Sequence, residues 1–193
     1  MNRLLYSLIP ALALAGCISF GEKAPKSLLT LTPSETLPVG ATQNSSTEKS
    51  ITITVPVVPQ SLAAGRVPVQ TGDQIAYITN VAWVEVPQRL FARLLSDTIA
   101  AKTGRVVLSS AQSFSDPGAR LSGELRNFGV DGTSREVVVT FDASLIRGSA
   151  TSVDKKRFEA RVPIATINGD GVGPALNVAA NRVASEVAVW IGN

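Results

Sequence analysis

No histidine occurs among the 193 residues, and there is a single cysteine. The first absence excludes Ser-His-Asp and Cys-His catalysis and every histidine-ligated metal site. The second excludes a disulfide framework. Long apolar runs are also missing. The one apolar stretch near the start, residues 4–14, falls short of the roughly 20 residues that a membrane-crossing helix requires. Charged residues make up 17% of the chain, none in a block of one sign, and the net charge is +3, so nothing points to a nucleic-acid partner. EF-hand spacing, a Walker loop and a GxGxxG turn after a strand are all absent. Gly169-Asp170-Gly171 holds one acid and reads as a loop. These gaps do not exclude an enzyme, but the expectation is of a non-enzymatic protein with no resident metal and no bound cofactor.

What is present begins with the lone cysteine, Cys17, at the end of "LIPALALAGCISF". A buried thiol acting as a small hydrophobe is one reading. The residues before it favour another. Met1, Asn2 and Arg3 form a short basic head, and residues 4–14 have the length of a signal-peptide apolar segment. The run closes in Leu14, Ala15, Gly16 and Cys17, which resembles the bacterial lipobox. In that motif the cysteine is freed by a dedicated peptidase and carries a diacylglycerol and an N-acyl chain. Such chains contribute about 0.8 kcal/mol per buried methylene, so two or more anchor stably. Residues 1–16 are therefore expected to be a lipoprotein signal peptide and Cys17 the membrane anchor. Ile18, in place of an aspartate, favours sorting to the outer membrane, facing the periplasm.

Residues 17–49 read as the lipidated start, a short strand over residues 27–32, and a flexible tether rich in Ser, Thr, Pro and Gly. Residues 50–193 read as one α+β domain. "SITITVPVV" alternates Ile51, Ile53, Val55 and Val57 against Thr52, Thr54 and Pro56, the pattern of a half-buried strand ending near the proline. Two short β runs surround Thr71-Gly72-Asp73, a hairpin turn. A helix is expected from Pro87, with Leu90, Phe91, Leu94, Leu95, Thr98 and Ile99 on one stripe and Gly104 closing it. "RVVL" gives a short strand, and "RLSGELRNFGV", "REVVVTFDASLIR" and "KKRFEARVPI" a strand meander. A last helix is expected to open at Pro174, burying Leu176, Ala180, Val183, Val187 and Trp190. The sum is a mainly antiparallel sheet with two amphipathic helices packed on one face.

The stretch from "RVPVQTGDQIAYI" through "NVAWVEVPQRLFARLLSDTIAAKTGRVVL" resembles the core of the ABC-type transport auxiliary lipoproteins, the PqiC-like family found beside MCE-type lipid transport systems. Leu28-Leu29-Thr30-Leu31-Thr32-Pro33 matches its N-terminal strand, Ile75-Ala76-Tyr77 its short inner strand, and Trp83 the tryptophan before its first helix. Ala82 stands where many members carry an arginine. The resemblance implies a non-enzymatic accessory lipoprotein that docks the periplasmic MCE conduit, with an MCE-domain protein as partner and the membrane held through lipid. Trp83, Arg89 and Arg93 are candidates for partner contact, although Trp83 and Tyr77 suit strand packing better and both arginines suit a solvated helix face. A homo-oligomer is left open. The alternative is a periplasmic carrier that encloses a lipid itself. Glu124, Asp142 and Glu159 lie on different expected strands, with no sequence sign that they converge.

Overall fold

A computed structural model of the chain describes residues 27–46, 49–114, 116, 118–148 and 150–192. Leu14, Ala15, Gly16 and Cys17 lie outside the described residues. The fold is organised by one long strand, β5 (Ala119–Asp131), which pairs antiparallel along its length with β6 (Glu136–Ile146), as β6 does with β7 (Asp154–Pro163). These are the three meander strands expected from the sequence. Asp131 starts the β5–β6 turn by accepting the backbone N–H groups of Thr133 and Ser134.

The other edge of β5 is shared by two short strands that run parallel to it. β1 (Ser50–Ile53) lies beside its start and β2 (Arg66–Thr71) beside its end. Between them a four-residue helix, α1 (Gln60–Ala63), loops out, too short to show a helical period in sequence. β3 (Gln74–Ala82) forms the expected hairpin with β2, with Gly72 at φ 57°. β4 (Val106–Leu108) pairs parallel with β1. The sheet of seven strands is thus antiparallel only in part. A helix leading into β4 is the crossover that parallel pairing requires, and alternation within a strand carries no information on its direction.

The half-buried pattern expected through Val57 breaks at Pro56. Thr54 donates to the Leu121 carbonyl and Val57 to that of Gly123, and the pairing slips by one residue between Ile53↔Leu121 and Val57↔Glu124. A one-residue slip exchanges the faces. Val55 and Val57 are consequently exposed, while Pro56 is buried.

α2 (Pro87–Thr103) has Pro87 in its first turn and Gly104 at φ 67°, whose N–H donates to the Ala100 carbonyl. All six residues of the expected stripe are buried. α3 (Gly169–Gly192) begins five residues before Pro174, which lies inside the helix. Asn168 starts it, rather than Pro174 as expected: its side-chain oxygen accepts the Gly171 N–H at 3.0 Å as a cap. Small residues dominate its buried side (Ala175, Ala179, Ala180, Ala184 and Ala188), which lets it lie close to both α2 and the sheet. Phe91 of α2 meets Phe128 and Phe141 at 6.2 and 5.3 Å between ring centres, and Phe158 meets Trp190 at 5.6 Å. These rings join helices to strands across a single core.

Residues 27–32 form one isolated bridge, Leu29↔Trp83, in place of a strand. The exposed stretch after it is strapped to the helices. Thr32 and Ser34 donate backbone N–H groups to Asn177 and Asn181, Asn181 donates back to the Thr32 carbonyl, Glu35 pairs with Lys102 at 2.8 Å, and Gln43 donates to the carbonyls of Gly104 and Arg105.

Candidate functional site

Alternation on β5, β6 and β7 sends apolar side chains toward the helices and polar ones to the opposite, open face. There the registers Asp142↔Arg157, Thr140↔Glu159 and Val138↔Arg161 set the rows. Glu124 lies directly across from Asp142, a like-charge pair that would be destabilising alone. Two arginines resolve it. Arg157 clamps both oxygens of Asp142 at 2.6 and 2.7 Å, and Arg126, at the irregularity between Leu125 and Asn127, reaches Glu124 and Asp142 at 3.5 Å each. Arg161 links Glu159, Glu136 and Asp131 at 2.8, 3.3 and 3.5 Å. Thr140 donates its hydroxyl to Glu159 and receives the Asn127 amide. Glu124, Asp142 and Glu159 therefore do share one face, a convergence that depends on register and on the irregularity at Arg126.

The pairing fixes the charge states. The hydrogen bond from Arg157 holds the Asp142 carboxyl below the usual carboxylate range, and bonds from Arg161 and Thr140 do the same for Glu159. Asp131 is lowered chiefly by the Ser134 backbone N–H. Such carboxylates stay ionised at neutral pH and are poorly suited to proton transfer. Among the described residues no cluster of His, Cys, Asp and Glu could hold a metal ion. Beside this face is an open depression of about 340 Å³, lined by Leu62, Pro68, Ile75, Phe128 and Val138 with Arg126 and Arg161 at its rim. Val138 is buried in its wall.

Trp83 is absent from the surface. It is 5% exposed, with its ring 5.2 Å from Phe128, so it packs in the core. Tyr77 likewise packs, donating its hydroxyl to the Ser61 carbonyl beneath the Arg66 guanidinium. Arg89 and Arg93 are exposed on α2, and both turn to Glu85. At the carboxyl ends of α2 and α3 a second depression, about 740 Å³, is lined by Lys49, Lys102 and Arg105. Arg105 and Arg147 donate to the last carbonyls of α3, a favourable site for cations. No helix among the described residues is long and apolar enough to cross a membrane.

A family model for the ABC-type transport auxiliary lipoprotein component matches residues 30–188. Among solved structures, an uncharacterized protein superposes with a TM-score of 0.64 at 16% identity, covering 86% of this chain and 99% of its own. A protein from Xanthomonas campestris does so with the same TM-score at 15% identity, covering 87% and 92%. At such identities the likeness is one of fold. No curated protein matches the chain in sequence.

Proposed function

The chain belongs to the ABC-type transport auxiliary lipoprotein family, and on that premise we propose that it is a non-enzymatic tethering subunit of an envelope lipid transporter. Cys17 carries the lipid and holds the protein to the outer membrane on its periplasmic side. The folded domain docks the MCE-domain protein through which lipid passes, while an inner-membrane ABC transporter supplies the energy. The family match over residues 30–188 carries this reading. The ordered arginine–carboxylate face of β5, β6 and β7 supports it as a docking surface. Its side chains are already held by one another, so a partner gains complementary charge at little ordering cost. The carrier alternative draws less support: the depression is open and lined by Gln70, Asn127 and Asp131 as well as by apolar side chains, and its volume of about 340 Å³ lies near the small end of ligand pockets, roughly 300–1,000 Å³.

The test uses the full-length protein, labelled in cells with a radioactive fatty acid and purified in detergent. Label should appear on the wild type and be lost in Cys17→Ser, and an MCE-domain protein, identified by mass spectrometry, should copurify with both. A stoichiometric phospholipid with no MCE-domain protein would favour the carrier; equal labelling of both forms would remove the anchor.

A further inference from the structure

We infer that the end of the domain bearing the amino termini of α2 and α3 rests on the bilayer that holds Cys17, through Leu28, Val84 and Ile167. The inference deepens the anchored reading above and depends on Cys17 being lipidated. The two helices run parallel. At one end the Leu29 backbone bonds to Ala82 and Val84, just before α2, while Leu29 also lies against Gly173 near the start of α3. At the other end Arg105, just after α2, reaches the Ile191 carbonyl near the end of α3. Ser27 therefore enters the fold at the amino-terminal end of both helices.

Ten residue steps separate Cys17 from Ser27. However they run, they span at most about 35 Å. α3, with 24 residues, is about 36 Å long. The end of the domain where the chain enters thus lies within reach of the membrane, and the far end lies at or beyond the limit of that reach. That near end is apolar where the chain enters. Leu28 is 49% and Val84 57% exposed on either side of the Leu29↔Trp83 bridge, and Ile167 is exposed just before Gly169, which lies against Val81. Lys49, Lys102 and Arg105 mark the opposite end, where Val189 is also 57% exposed. The patch is too small to bind a membrane alone. With the acyl chains supplying affinity, its role is to set orientation, pointing the carboxyl ends of the helices into the periplasm.

With the Cys17 thiol consumed by lipid, an introduced cysteine is the only free one. Full-length Val84→Cys and Val189→Cys proteins, each labelled with a fluorophore, are reconstituted into phosphatidylethanolamine–phosphatidylglycerol vesicles carrying a quencher at the acyl-chain level. The Val84 label should be quenched several-fold more than the Val189 label, and adding Leu28→Ser with Ile167→Ser should reduce that excess. Equal quenching in proteins that float with the vesicles overturns the orientation and leaves the anchor standing. Failure of both proteins to float overturns the anchor and the orientation with it.

Discussion

Arg93 and Leu94 are adjacent on α2, yet Leu94 is 1% exposed within the core and Arg93 lies outside, paired with Glu85. Leu94→Ala removes three carbons from a packed site and should cost about 2–5 kcal/mol. Arg93→Ala removes an exposed ion pair and should cost under about 0.5 kcal/mol. Denaturant melts of the two variants measure this, and equal losses would mean the helix face is misassigned. Both outcomes can be read from sequence, because the helical period separates the two positions. Trp83 shows where that stops. A tryptophan before a helix can cap the core or face a partner, and only the bridge to Leu29 and the contact with Phe128 place it inside.

At the scale of elements, α2 was legible because Pro87, the apolar stripe and Gly104 fall within one window. α3 was legible over Leu176, Ala180, Val183 and Val187, though Trp190, expected on the same stripe, is only partly buried; its start was not legible, since Gly169, Gly171 and Gly173 are weak helix formers and the Asn168 cap acts through geometry. The open face of β5, β6 and β7 was legible as a face, its convergence hidden in register. Its paired carboxylates predict an acid response. Asp142, Glu159 and Asp131 have folded pKa values below their unfolded ones, so above about pH 5 their contribution to stability is fully present. As pH falls past about 4 the unfolded chain takes up protons first, and the contribution is lost through the lower folded values. Asp97, raised by burial against the counter-effect of Arg93, works the other way: its cost at neutral pH is relieved on acidification. Asp142→Asn should therefore cost up to about 1 kcal/mol at neutral pH, the scale of an exposed ion pair, and lose less stability than wild type on going to about pH 3. Urea midpoints at the two pH values measure it, and parallel losses would mean the Arg157 clamp contributes nothing.

For the whole molecule, the question is where the domain begins. Composition puts the boundary at residue 50, because Ser, Thr, Pro and Gly before it resemble a linker. The structure ties residues 27–46 to the helices by bonds that composition cannot register. The acceptors for Thr32 and Ser34 are Asn177 and Asn181, two asparagines one turn apart on α3, and that spacing is the one signal of the strap. Leu29 and Leu31 are partly buried against the core at its start. A chain beginning at Ser27 should consequently be more stable than one beginning at Ser50. Two half-buried leucines and a few exposed hydrogen bonds amount to about 2–4 kcal/mol. Asn181→Ala in the longer chain should lose part of that difference, since it frees the Ser34 N–H and the Thr32 carbonyl while leaving the Thr32 bond to Asn177 and the leucines in place. Urea unfolding of the three proteins tests the point. If the short and long chains unfold together, residues 27–46 add no stability to the domain, and the orientation at the bilayer would no longer be transmitted through a fixed point of entry.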